Sequence, residues 1–376
     1  MRFDLDLGLR RVADAIDERQ AARAERRQRA VWDYAPVDQT PVIMQDVVVP
    51  DWPLFPYQEI YDHPDKMLWN QLKDLWASAT LDDDNLFAVR AHYGTGTMAS
   101  IMGAEVVVNA DAPPWTQPLR TRAAIRRVID RGMPELTAGL GRRVLETEQL
   151  FLGRLARYEP LRRHVHMFLA DSQGPFDTAH LLWGSEIYYA MVDEPELVHQ
   201  LLSLITEATI AFTWAQKRLI GEARDWGYHF FYRMKGGIRI VDDVAINLSP
   251  KMYAEFVLPY FQRLTSEFGG GYVHYCGHLL HHQALRLGLP GLTGLEMGFD
   301  NPGREPSYTF ARVQSGAAER RVALMWHGYE LSPAVAAAPT GVAYVARHQP
   351  GLPLEEARAE LGQFRVALAR GRESGA

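Results

Sequence analysis

The sequence predicts an α/β protein built as a (β/α)8 barrel, with a helical extension at the N-terminus and an insertion after the first strand. Three observations predict it. Eight short apolar runs are mostly separated by stretches of helical periodicity, as repeated βα units and a parallel sheet require. The chain has 376 residues, inside the range of about 200 to over 400 for such barrels. Polar clusters fall where the predicted strands end, and that is where a barrel places its chemistry.

The elements follow in order. Residues 7–32 carry apolar residues at helical spacing among many Arg, Glu and Asp, which predicts a solvated amphipathic helix within an extension over 1–38. Arg23, Arg26, Arg27 and Arg29 are interleaved with Ala and Glu, so they read as a charged helix face rather than an RNA-binding arm. Strands are expected at 40–45, 104–108, 164–170, 228–232, 272–275, 292–297, 322–326 and 341–346. The segment 47–103 is long for one βα connection and reads as an insertion over one mouth. The stretch 331–340 leaves little room for a helix. No Pro/Ser linker and no short-period repeat divides the chain, so 1–376 reads as one barrel domain.

Composition excludes several classes. Hydrophobic residues make up 47% and charged residues 23%, which is ordinary globular usage and not that of a disordered chain. Lys+Arg 40 against Asp+Glu 46 gives a net charge of −6. That balance lacks the electrostatic footprint of a nucleic-acid or anionic-membrane binder. The expected partner is a small-molecule substrate, on a monomer or homodimer. Cys276 is the single cysteine, so no intrachain disulfide forms and a reducing cytoplasm is expected. The first residues, Met-Arg-Phe-Asp-Leu-Asp, carry no apolar signal region, and no stretch approaches a membrane span.

The clusters at strand ends are Gln45-Asp46, 171–177, 233–243, 274–282, Glu296 and Trp326-His327. The richest holds His274-Tyr275-Cys276. Residues i and i+2 of a strand share a face, so an imidazole and a thiol would both reach a borderline-soft cation such as Zn²⁺. The plainer reading is a buried strand with a satisfied histidine and an inert core cysteine. His278 and His282 stand at i, i+4, also a metal-ligand spacing, but the leucines around them favour the polar face of a packing helix. Asp171 and Asp177 flank Gln173-Gly174-Pro175-Phe176, as either N-cap or site residues. Asp242-Asp243 precede Leu248-Ser249-Pro250, where Ser249 reads as an N-cap with Pro250 at the first helical position. Trp183, Tyr188, Trp226, Tyr232 and Trp326 would either line an apolar pocket or sit in the core. There is no nucleophile elbow and no Walker A sequence.

These residues resemble the uroporphyrinogen decarboxylase superfamily. The resemblance spans about 26–365 and rests on three stretches. They are Ala170-Asp171-Ser172-Gln173-Gly174-Pro175, then Asp193-Glu194-Pro195-Glu196-Leu197-Val198, and Asp242-Asp243 with 248–260 and His274-Tyr275-Cys276-Gly277 after it. It implies a (β/α)8 barrel. The decarboxylase branch carries an arginine motif after its first strand and an Asp near the second. Here Pro41-Val42-Ile43-Met44-Gln45-Asp46-Val47 and Ala91-His92-Tyr93-Gly94-Thr95-Gly96 lack them. The zinc-dependent methyltransferase branch carries His-x-Cys where this chain has His274-Tyr275-Cys276, plus a distant C-terminal Cys that this chain lacks.

The resemblance therefore implies one Zn²⁺ per chain on His274 and Cys276, with His327, His348 or Glu296 as third ligand. Asp171, Asp242 and Asp243 would orient substrate or move protons. Methyl transfer to or from a small thiol or a corrinoid is the implied reaction. Any corrinoid would sit on a separate protein. A metal-assisted lyase, decarboxylase or hydrolase acting on a small carboxylated substrate is the alternative.

Overall fold

The computed structural model describes all residues except 1–2, 111, 172, 277–279, 298–309, 349–350 and 376. Among the described residues, eight short parallel strands follow the order of the expected βα units: β1 (Val42–Met44), β2 (Ala88–Val89), β3 (His166–Met167), β4 (Ile238–Val241), β5 (Gly271–His274), β6 (Leu292–Met297), β7 (Ala323–Gly328) and β8 (Val342–Ala346), and a separate two-residue pair, Val47–Val48 with Leu352–Pro353, is also parallel. Six of the eight form one sheet in the order β1-β8-β7-β6-β5-β4, and β2 pairs separately with β3. The chain order around the sheet is that of repeated βα units. The ladder expected of a closed barrel is interrupted on both sides of the β2–β3 pair. Between β3 and β4 stands one parallel bridge, Gln173 to Val241. An added Cβ on Gly174 would lie 2.4 Å from the Val241 carbonyl oxygen, so only glycine permits that approach.

The other interruption has a side-chain cause. The amides of Val42 and Met44 donate to Asp84 Oδ2 at 3.1 Å and to Asp83 Oδ2 at 2.9 Å. Two carboxylates thus take the place of a neighbouring strand along β1. Arg27 from the N-terminal helices holds Asp84 at 2.9 Å.

Strands β7 and β8 are buried at every residue, as expected of a parallel sheet covered on both faces. The N-terminal extension is two helices, Leu5–Ala15 and Glu18–Asp33, rather than one. The break is set by Asp17, whose carboxylate caps the second helix through the amides of Arg19 and Gln20. Ser249 caps the helix Pro250–Phe256 as its sequence indicates, and a short helix, Pro333–Ala336, does fit between β7 and β8.

Two expected strands are corrected. The run at 104–108 gives Glu105–Val107, but this strand pairs antiparallel with Trp115–Gln117. The second parallel strand is β2, inside the expected insertion; two residues are too few to leave a periodic signal. The run at 228–232 spans a hairpin of Trp226–His229 with Tyr232–Lys235, turning at Phe230 with φ 47°. The parallel strand is β4, just beyond it, where Arg239 interrupts the apolar run.

One buried group makes stability depend on pH. Glu148, on the helix Gly141–Leu155, is fully buried, and neither carboxyl oxygen has a hydrogen-bond partner among the described residues. Burial, then Glu222, pushes it up to about 8. The unfolded value is about 4.3. The folded state therefore binds the extra proton, and stability falls as pH rises from about 4 to about 8, by up to about 1.4 kcal/mol per unit. Glu148→Gln should flatten this part of the profile in urea unfolding between those limits. An unchanged slope would count against it.

Candidate metal centre

His274 ends β5, and register places it beside Val241 of β4 and Glu296 of β6. Asp243 lies two residues beyond β4, and Cys276 two beyond β5. These strand ends bring Asp243, His274 and Cys276 together, with one ligand atom from each all within 4.8 Å of one another. His274 Nε2 is 3.4 Å from Cys276 Sγ and 3.7 Å from Asp243 Oδ1. The Cys276 amide donates to Asp243 Oδ1 at 2.8 Å, which ties the two ends together.

The other face of His274 is set by Glu296, whose Oε2 lies 3.1 Å from Nδ1. A proton on Nδ1 facing that carboxylate leaves the Nε2 lone pair aimed at Cys276 and Asp243, the orientation a metal-binding imidazole needs. His327, on β7, places Nε2 3.3 Å from Glu296 Oε1. Burial works against the charge of Glu296, but His274 and Arg239 outweigh it and hold the group well below the usual carboxylate range.

The charged row continues across the floor. Arg239 Nε lies 3.2 Å from Glu296 Oε2, and its Nη1 lies 3.7 Å from Asp171 Oδ1. Arg90, just past β2, reaches Asp171 Oδ2 at 3.3 Å and His92 Nδ1 at 3.1 Å. Burial pushes Asp171 up, yet Arg90 and Arg239, then His92 and His274, bring it below its ordinary value. Arginine can only donate, so His92 Nδ1 accepts; burial first, then Arg90, depresses this imidazole to about 3 and keeps it neutral.

The row floors a cavity of about 320 Å³ whose lining includes Asp171, Arg239, His274, Glu296 and His327. Its rim carries Asp46 and Phe230, two non-glycine residues with positive φ, 58° and 47°. Such strain persists where the surrounding structure enforces it, often at functional sites. Arg347 supports the rim through Gln45 Oε1 at 2.6 Å and Asp46 Oδ2 at 3.2 Å.

The structure separates the residues singled out in the sequence. Asp171, His274, Glu296 and His327 share the cavity, and Asp243 and Cys276 join His274 at its edge. Asp242 is fully buried on Arg286 and Tyr253, at 2.7 and 2.8 Å, away from solvent. His348 has both ring nitrogens engaged, by the Gln45 carbonyl at 3.0 Å and Glu360 at 2.5 Å. His282 stacks on Tyr253 with centroids 4.3 Å apart, and His278 lies outside the described residues. None of Trp183, Tyr188, Trp226, Tyr232 and Trp326 lines this cavity; Phe230 and Phe231 do. Sequence reasoning missed Arg90, His92 and Arg347. Arg90-Ala91-His92 follows the apolar pair of β2, and a strand recognised there would have flagged it.

The donor set fits a cation. Burial around the Cys276 thiol, then Asp243, pushes it up to about 12. A carboxylate and a thiol held against one imidazole nitrogen are thus mutually unfavourable as anions until a positive ion joins them. Nitrogen, oxygen and sulfur donors within this reach suit tetrahedral Zn²⁺ with an open fourth position.

Asp177 supports the set from behind, since its Oδ1 accepts from the amides of Asp243 and Val244 at 2.9 and 3.0 Å. Asp177→Ala should weaken zinc binding about 10–100-fold, as loss of outer-shell partners does. Asp177→Asn, which keeps an acceptor oxygen, should restore most of it. Competition with a zinc-binding dye measures both; equal affinities would sink the idea.

No family model matches the chain. Uroporphyrinogen decarboxylase of Xanthomonas axonopodis pv. citri (strain 306) is 29% identical over 183 residues, covering 46% of this chain and 45% of the relative. That of Xylella fastidiosa (strain Temecula1 / ATCC 700964) is 27% identical over 178 residues, covering 45% and 43%. Over these stretches the chain is similar to uroporphyrinogen decarboxylases. The match spans less than half the length of those curated relatives. In fold it is similar to a methyltransferase from Methanosarcina mazei, with a TM-score of 0.63, 18% identity, and coverage of 93% of this chain and 98% of that one. Among the described residues no helix is long and apolar enough to cross a membrane.

Proposed function

We propose that this chain is a zinc-dependent, methyltransferase-like enzyme on a (β/α)8 barrel, moving a methyl group between a small thiol or corrinoid and a small substrate. The observation that carries the reading is the convergence of Asp243, His274 and Cys276 within 4.8 Å at the ends of adjacent parallel strands. Asp243 is the third ligand proposed, ahead of Glu296, which faces the opposite nitrogen of His274. Zinc held there would lower the pKa of a thiol or water placed on it. Glu296 keeps the proton on His274 Nδ1. Asp171, kept ionised by Arg90 and Arg239, accepts a hydrogen bond from substrate and orients it. Phe230 and Phe231 shield the cavity from water. The corrinoid, where one takes part, comes on a separate protein. The test is transfer of the methyl group of methylcobalamin to a small thiol such as 2-mercaptoethanol by zinc-loaded protein, the Co–C bond breaking as the S–C bond forms; a loaded protein that catalyses no such transfer would overturn the reading.

A second reading, a metal-assisted lyase, decarboxylase or hydrolase on a small carboxylated substrate, draws on Arg239 and Arg347 at the cavity and on the decarboxylase names of the relatives. It does not extend to uroporphyrinogen. A cavity of about 320 Å³ sits at the low end of the ~300–1,000 Å³ that suits drug-sized ligands. Its walls hold Asp46, Asp74, Asp171 and Glu296 against Arg239 and Arg347, an unfavourable surround for a tetrapyrrole with many carboxylates. Incubation with uroporphyrinogen should yield no coproporphyrinogen by chromatography. Its formation at a catalytic rate would refute this.

A further inference from the structure

A second chamber of about 200 Å³ adjoins the main cavity, and the two share Asp74, Asn85, Phe230 and Phe231. Phe168 adds a third ring to its walls. Several of its polar groups are already matched. Gln71 takes the Arg90 amide on its oxygen at 2.9 Å and donates to the Met67 and Arg90 carbonyls at 3.3 and 3.0 Å. Arg90 is held by Asp171 at 3.3 Å, and Asp74, exposed at the junction, by Lys73 at 2.5 Å. The groups left open inside are donors. Arg90 Nη2 lies 3.1 Å from His92 Nδ1, and an arginine only donates, so Nδ1 accepts. The neutral ring therefore carries its proton on Nε2, for which no described residue provides an acceptor. Asn85 is 3% exposed, and its Oδ1 is sealed in the interior, so its NH2 is the end left for the chamber. Turning the amide over would seal in two donors instead of one acceptor, a costlier arrangement.

We propose that this chamber is a specificity subsite for an uncharged carbonyl group on an aromatic ring, the carbonyl oxygen accepting from the Asn85 NH2 and the His92 Nε2–H while the ring lies among the three phenylalanines. The size agrees, since an apolar cavity of about 150 Å³ already holds benzene. The hydrogen bonding agrees, since a carbonyl oxygen has two lone pairs and brings no donor that would lack a partner here. The charge agrees too. Arg90 is already neutralised by Asp171 and Asp74 stands at the junction, so a carboxylate would be desolvated with no free cation to meet it. Asn85 belongs to both chambers, so a substrate held there extends its other end into the main cavity that His274 lines. The subsite names a substrate class for the proposed enzyme and rests on the main cavity being its active site.

The test is ligand-observed NMR titration of the full-length protein with acetophenone, its shape-matched hydrocarbon α-methylstyrene, and benzoate, with zinc content measured on the same samples. Acetophenone should bind about tenfold more tightly than α-methylstyrene, and benzoate least. In the pair Asn85→Leu with His92→Phe, shown to be folded by its melting curve, the preference for acetophenone should vanish. His274→Ala should keep that preference while losing zinc, so failure of the metal reading and failure of this one are told apart. Acetophenone binding no tighter than α-methylstyrene in the unchanged protein, or benzoate binding best, overturns the proposal without recourse to any variant. A preference that survives the double substitution, or one that disappears in His274→Ala, overturns it equally.

Discussion

The unchanged protein, purified without chelators, is expected to take up about one zinc per chain, and His274→Ala less than about a tenth of that. The imidazole is the middle of the three donors, 3.4 Å from the sulfur and 3.7 Å from the carboxylate oxygen. Losing it breaks the set, and the cost should exceed the 10–100-fold typical of outer partners such as Asp177. Cys276→Ser should behave alike, since a hydroxyl is a poor zinc ligand at neutral pH. Glu296→Gln is the informative contrast. Its amide still faces His274 Nδ1, but as a weaker acceptor, so zinc should be retained with reduced affinity. Elemental analysis after dialysis against a zinc buffer decides these cases. Full zinc occupancy in His274→Ala would move the metal elsewhere in the molecule.

Arg286→Ala should destabilise the fold by about 3–5 kcal/mol, the range for breaking a buried ion pair from one side. Arg286 and Asp242 are both fully buried, with Nη2 and Nε at 2.7 and 3.2 Å from the same carboxylate oxygen. The guanidinium also lies 4.1 Å over the ring of Tyr275, between the two candidate ligands on β5 and its end. The substitution strands a fully buried carboxylate beside Asp243. Urea unfolding would show a lower midpoint at an unchanged slope. The pair Arg286→Met with Asp242→Leu should recover much of the loss, because both charges leave together. A single substitution costing less than about 1 kcal/mol would show that the pair does not hold this corner.

The sequence made some features legible for clear physical reasons. Strands β5 to β8 are continuous apolar runs bounded by turns, and their polar ends announced His274, Cys276, Glu296 and His327. The His-x-Cys spacing works because a strand repeats every two residues, a rule that needs no tertiary knowledge. Asp171 and Asp243 were visible as strand-end acids, but their roles were not. Whether an acid caps a helix, binds an arginine or faces a cation depends on what another strand brings. Asp242 shows this most clearly: its neighbour Asp243 faces the candidate metal set, while it turns inward to Arg286, which lies 44 residues on. Strands β2 and β4 were hidden, one by brevity and the other by Arg239 in its middle. With β2 went Arg90, His92 and the chamber behind them.

The carboxylates of Asp83 and Asp84 on the amides of Val42 and Met44 bear on how the molecule behaves in a crowd of its own copies. A strand margin with bare amides is a template on which another chain can lay itself down and begin a polymer. Here the donors are already taken by two buried side chains that cannot themselves extend a ladder. The margin of the sheet is sealed chemically, with no further strand to cover it. Because β1 is itself buried, removing both carboxylates would bare that seam only when the molecule opens, and concentrated solutions of such a variant would be expected to cloud on warming.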